Sequence, residues 1–196
     1  MQPPGGNAEI RQWYLEQVSS IPELNQQWLA AGLSARERAE RAWRMRHTAR
    51  LEARAMMADP AEVELLRARD LALYGNTDGP TFAFLVEQGR RAGLTEPAIY
   101  EAIIEGAYRT NIGLNRRFGL SNMENGSMST KAQDYLKETI TWKSGADPLY
   151  PYRAEYEGGQ CLVRINDFPD DHLYTLIVND REVAHFDDWP LCWTRP

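Results

Sequence analysis

Cysteine, histidine and long apolar runs are all scarce in this chain. Of 196 residues only two are cysteine, Cys161 and Cys192, and three are histidine, His47, His172 and His185. Two cysteines without a CxxC or Cys/His companion make neither a disulfide framework nor a zinc site, so both read as reduced, packed thiols. The histidines lie far apart in sequence and lack ligand spacing. No apolar run approaches the roughly 20 residues that span a bilayer, and Met1 to Asn7 (MQPPGGN) has neither the charged nor the apolar region of a signal peptide. A nucleotide-binding glycine loop, a GxSxG elbow and a paired-histidine metalloprotease motif are also missing. Motifs therefore name no cofactor, no metal and no catalytic residue. The net charge of −6 argues against general affinity for nucleic acid and suits a protein partner with a basic face. The expectation is a soluble, cytoplasmic protein that does not enter a membrane.

What is present is helix, then strand. The chain is long enough for an apolar core without metals or disulfides, and its 43% hydrophobic and 26% charged residues are those of a globular protein. Ile10, Trp13, Tyr14 and Val18 gather on one face of a first helix, and Leu24, Trp28 and Leu29 mark a second that ends at Gly32. Ser34-Ala35-Arg36-Glu37 fits a capping box opening a long third helix to about Met57. That helix holds seven arginines against three glutamates over 34–58. Asp59-Pro60 with Glu62 starts a fourth, with Val63, Leu66 and Leu73 near one face, ending at Tyr74-Gly75. The organising stretch is Tyr74 to Phe118: a tight turn through Asp78-Gly79-Pro80-Thr81, a helix to Ala92, and a helix from Thr95 whose Ile99, Tyr100, Ile103, Ile104 and Ala107 form a broad buried stripe.

Residues 121–130 (SNMENGSMST) are small and polar, a linker candidate, followed by one more helix over about 131–142. Beyond 147 the period shortens to two. Tyr152, Ala154 and Tyr156 alternate with charges, Gly158-Gly159 offers a turn, and Asn179-Asp180 separates two further strands. The expected fold is α+β: an N-terminal multi-helix bundle over 1–145, and a small antiparallel β-sheet over 148–196 packed on the helices. The β part carries nine acidic residues against four arginines.

Three constellations hold polar groups. Arg46, His47, Arg50 and Arg54 form a ridge that suits phosphate, or else a solvated face paired with acids. Asp78, Arg109 and Asn111 mark a corner that offers a polar pocket or simply serves the turn. In the tail, Asp167, Phe168, Asp170 and Asp171, then Asp187, Asp188 and Trp189, join aromatics to acid pairs. Aromatic anchors ringed by acids fit a contact with a basic protein, whereas the same rings could instead seal the sheet against the helices.

The tail segments Leu162-Val163-Arg164-Ile165-Asn166-Asp167-Phe168-Pro169, Leu173-Tyr174-Thr175-Leu176 and Phe186-Asp187-Asp188-Trp189-Pro190 resemble small immunity proteins of bacterial polymorphic toxin systems. Trp13-Tyr14-Leu15, Ile21-Pro22-Glu23-Leu24-Asn25, Asp78-Gly79-Pro80-Thr81-Phe82 and Arg109-Thr110-Asn111 resemble helical modules of toxin- or secretion-linked proteins from the same systems. The resemblance implies interbacterial competition. On the immunity side it implies a non-enzymatic antitoxin-like protein that binds a cognate toxin through the acidic, aromatic tail. On the other side it implies an effector enzyme using Arg46, His47, Arg50, Asp78, Arg109 and Asn111 on nucleic acid or a nucleotide. A secretion adaptor is the third reading.

Overall fold

The computed structural model describes residues 5–109 and 135–196; Asn111, the polar stretch 121–130 and residues 131–134 of the expected last helix lie outside these. Among the described residues six helices, α1 (Asn7–Val18), α2 (Ile21–Ala30), α3 (Ala35–Met56), α4 (Pro60–Tyr74), α5 (Phe82–Arg91) and α6 (Glu96–Tyr108), precede five strands. The strands β1 (Lys143–Asp147), β2 (Tyr150–Tyr156), β3 (Gly159–Ile165), β4 (Tyr174–Val178) and β5 (Arg181–Phe186) form one antiparallel meander in chain order. This is the expected α+β arrangement, bundle first and sheet second.

Local chemistry sets the helix ends. The Glu37 amide donates to Ser34 Oγ at 3.3 Å while the Ser34 amide donates to Glu37 Oε2 at 2.9 Å, completing the capping box of α3. Asp59 caps α4 by accepting from the Ala61 amide, and Gly75 ends it in the left-handed conformation. At the central turn the cap of α5 is Thr81, whose hydroxyl accepts from the Phe84 amide at 3.1 Å, so Pro80 stands before the helix rather than in it. α6 buries Ile99, Tyr100, Ala102, Ile103, Ile104 and Ala107. It packs on α3, whose inward Ala39, Ala42, Ala49 and Ala53 let the two axes approach. Each buried isoleucine contributes about 1.5–3 kcal/mol. Gly89 lets α5 approach as closely, since a Cβ there would stand 2.6 Å from Ile99.

α4 departs from its expected face. Leu71 and Leu73 are exposed, and the buried residues are Glu62, Leu66, Arg69 and Asp70. The sheet also differs at its start. Residues 140–142 do not continue a helix: Thr141 bridges Thr194, and the Trp142 amide donates to the Thr194 carbonyl at 3.0 Å. Ile140 and Trp142 are buried and Thr141 is exposed, an alternation of period two that leads directly into β1 at Lys143, ahead of the expected start at 148.

Asn179-Asp180 makes the β4–β5 turn as expected, both residues at positive φ. The β2–β3 turn falls on Glu157-Gly158, one residue earlier than expected, which leaves Gly159 to open β3. One apolar cluster runs through both parts, joining Ile10, Tyr14, Leu66 and Ile99 of the helices to Val163, Ile165, Phe168 and Leu176 of the sheet region.

Candidate functional site

The polar groups singled out in the sequence meet where the sheet sits on the helices. Arg46, Arg50 and Arg54 lie at i, i+4 and i+8 on α3, so successive turns present them about 6 Å apart on one face. That face points inward: all three side chains are under a tenth exposed. α4 adds Arg69 and Asp70. The β3–β4 connection adds Asp167 and Asp170, held in a turn by the Asp171 amide donating to the Asp167 carbonyl at 3.0 Å.

Arg46 Nε donates to Asp170 Oδ1 at 2.8 Å, and Arg50 Nη2 donates to both Asp170 Oδ2 and, at 3.0 Å, Asp167 Oδ2. Arg54 Nη1 reaches Asp70 Oδ2 at 2.6 Å, and Arg69 Nη1 bridges Asp70 Oδ1 at 2.6 Å and Asp167 Oδ1 at 3.2 Å. The Tyr14 hydroxyl of α1 donates to Asp170 as well. Among the described residues four arginines thus face three aspartates. Burial pushes the Asp167 carboxyl up, but Arg50, Arg69 and Arg54 outweigh it and hold it far below the usual range. Burial likewise raises Asp170, and Arg46 and Arg50 more than reverse it. Arg54 goes the other way: burial and then its neighbour Arg50 lower it below the ordinary arginine value.

The aromatic, acidic tail is consequently not the open interface expected of it. Asp167 and Asp170 are spent on arginines, Phe168 is fully buried with its carbonyl accepting from Arg54 Nε at 3.0 Å, and Asp187 is buried where it accepts from the Leu173 amide at 2.9 Å. Physically, acids so close to a buried cationic row cannot remain in solvent without leaving those cations unpaired. Asp188 is exposed, but its carboxylate accepts from the Asn7 and Ala8 amides at 2.7 and 3.4 Å and so caps α1. Asp171 is half-buried and accepts from the His172 amide. Trp189 is half-buried among Tyr152, Tyr174, Phe186, Trp142 and Trp193, with the Arg195 guanidinium over its ring at 4.7 Å. The rings seal the sheet.

The residues expected of an effector enzyme fare similarly. Arg46 and Arg50 are buried ion pairs rather than a phosphate-binding ridge. His47 stacks on Trp43 at 4.9 Å, and burial followed by Arg50 lowers its pKa, so it is neutral near pH 7. The crevice beside Trp43, His47, Pro80 and Leu85 has a volume of about 20 Å³, enough for one water. Asp78 is exposed in its turn, where Asn76 bonds both the Gly79 carbonyl and the Asp78 amide. Arg109 pairs with Glu105 at 2.7 Å. Among the described residues no hydrogen bond or ion pair joins Asp78 to Arg109.

A second cluster escaped the sequence because its members are distant in the chain. On the outer face of the sheet, Arg164 Nη2 and Asn166 Nδ2 both donate to Thr175 Oγ1, at 3.3 and 2.8 Å, and the same oxygen lies 2.9 Å from His185 Nδ1. With both lone pairs occupied, the hydroxyl must give its proton to His185. This fixes His185 as the Nε2–H tautomer, and its pKa is lowered, by burial first. His172 stacks against it at 6.1 Å and bonds Asp187 Oδ2. A hydroxyl aimed at an imidazole resembles an activated nucleophile, but Thr175 is fully buried, so no substrate reaches it. No group of three metal-ligating side chains occurs among the described residues, and no described helix is long and apolar enough to cross a membrane.

Comparison with family models, with curated proteins and with solved structures finds no match to this chain.

Proposed function

We propose that this chain is a non-enzymatic immunity protein that neutralises a cognate bacterial toxin by direct binding. The observation that carries the reading is the arginine–aspartate lattice: the groups best suited to catalysis, Arg46 and Arg50 with Asp167 and Asp170, neutralise one another in the interior. A scaffold that spends its reactive groups on rigidity acts through its surface. Four acids of the tail, Glu155, Glu157, Asp180 and Asp188, remain exposed beside Arg153 and Arg181, a surface suited to a basic partner.

The contact moves from the tail loops to the hairpin end of the sheet. There the β2–β3 and β4–β5 turns lie side by side, joined by the Asn179 amide donating to the Gln160 carbonyl and the Gln160 amide donating to Asn179 Oδ1. Glu155, Glu157 and Asp180 are exposed at this end. Co-expression with the neighbouring gene product tests the reading. A complex should co-purify and protect the host, and the triple variant Glu155→Lys, Glu157→Lys, Asp180→Asn should lose both while melting as the parent does. Growth arrest by this chain alone, or no complex, overturns the proposal.

A further inference from the structure

We propose that the groove between α3 and the α1–α2 corner docks a short acidic amphipathic helix of a partner protein. The groove has a volume of about 500 Å³. Its floor is Trp28, Met45 and Ala49, and its rim carries Arg41 and Arg44 at one end and Glu52 at the other. This surface is separate from the hairpin end of the sheet, and the inference does not depend on the toxin-binding reading.

The arginines of α3 make the case. Arg36 pairs with Glu40, Arg38 with Glu101, and Arg46, Arg50 and Arg54 with the buried aspartates. Among the described residues Arg41 and Arg44 alone on this helix have no carboxylate at ion-pair distance, and both flank the groove. Arg41 instead lies over the Trp28 ring at 5.9 Å. Two unpaired cations beside an apolar floor complement an anion that brings its own apolar face. The groove opens to solvent, so a small anion would stay largely solvated. A helix gains contact by length, and Arg41 to Glu52 spans about three turns of α3. The order of charges fixes polarity: acids of the incoming helix face Arg41 and Arg44, and a basic residue faces Glu52.

The test uses the full chain with its methionine methyls labelled, Met45 assigned through Met45→Leu. The probe is an alanine-based helical peptide of about 14 residues carrying leucines on one face, glutamates at one end and lysine at the other. Its charge-reversed twin and octanoate serve as comparisons. The acidic peptide should shift the Met45 methyl and bind about tenfold tighter than its twin. Arg41→Glu with Arg44→Glu should reverse that preference without changing the fold. Equal affinity for the two peptides, no Met45 response at about 1 mM peptide, or an unchanged preference in the double variant overturns the proposal. Saturation of Met45 by octanoate but not by peptide also overturns it, in favour of a small-ligand pocket.

Discussion

Replacing Asp170 with asparagine takes one negative charge from the centre of the lattice while keeping its shape. Asp170 accepts from Arg46 Nε, Arg50 Nη2 and the Tyr14 hydroxyl, and its side chain is 3% exposed. The variant leaves four buried guanidinium groups against two carboxylates. Removing one partner of a buried ion pair costs about 3–5 kcal/mol, a large share of a native stability on the order of 5–15 kcal/mol. For a chain of this length each kcal/mol lowers Tm by about 2–4 °C, so the expected fall is about 6–20 °C. Arg54→Met is the informative comparison, because it removes one positive charge and leaves three of the described arginines against three aspartates. Its cost should be smaller, about 3 kcal/mol, because Asp70 keeps Arg69 at 2.6 Å. Urea denaturation of the three proteins at pH 7 decides. A loss below about 1 kcal/mol for Asp170→Asn, or an equal loss for Arg54→Met, refutes the charge accounting. Acid adds a second readout. Asp167 and Asp170 have folded pKa values below the ordinary 3.8, so their contribution is present above that value and lost as pH falls through the folded values. The parent should lose stability steeply in that window, and Asp170→Asn less steeply.

Gly79 sits at φ +95, and a Cβ added there would stand only 2.5 Å from Arg50 Nη1; Gly79→Ala should therefore cost clearly more than the about 1–2 kcal/mol of a left-handed L-residue, which is what Gly32→Ala, facing open space, should show in parallel melts. Because His185 has a lowered pKa, the stability it confers is full above 6.5 and declines as pH falls through its folded value; its imidazole C–H resonance should titrate below 6.5, and a midpoint above 6.5 would show that burial does not govern this ring. Asp188→Ala frees the Asn7 and Ala8 amides and should destabilise by about 0.5–2 kcal/mol, with amide exchange accelerating first in α1; exchange rising equally in α6 would show that the carboxylate is not acting as a cap.

Local signals are legible in the sequence and distant pairings are not. The capping box at Ser34, the Asp59 start, the Gly75 stop and the Asn179-Asp180 turn all depend on residues within four positions of one another, and each stands as the sequence implies. The α6 stripe is readable because it is apolar all along one face. α4 misleads because its inward face is partly charged: Arg69 and Asp70 follow Leu66 by one turn and share its side, which a rule of apolar-inside assigns to solvent. Thr139-Ile140-Thr141-Trp142 follows a helix-like stretch, yet its alternation matches the strand it leads into. The Thr175–His185 contact joins residues ten apart across a strand pair, and no local spacing announces it.

Two charged tracts each look, in sequence, like a surface waiting for a partner. The arginines of α3 recur every four residues and the aspartates of the β3–β4 connection lie three apart, more than a hundred residues away. Each tract taken alone describes a solvated face or a docking site, because sequence gives charge and period but not which faces meet. Joined, they become a contact between the bundle and the sheet region in which the buried charges are paired. The consequence reaches function directly. A helical part cut away from its sheet would retain Arg46, Arg50, Arg54 and Arg69 but lose Asp167 and Asp170, leaving Asp70 as the one carboxylate of the lattice. Such a fragment would not hold the native helix packing, and its harmlessness to a host would say nothing about toxicity. Only the full chain, with the lattice intact, can distinguish a protein that protects from one that kills.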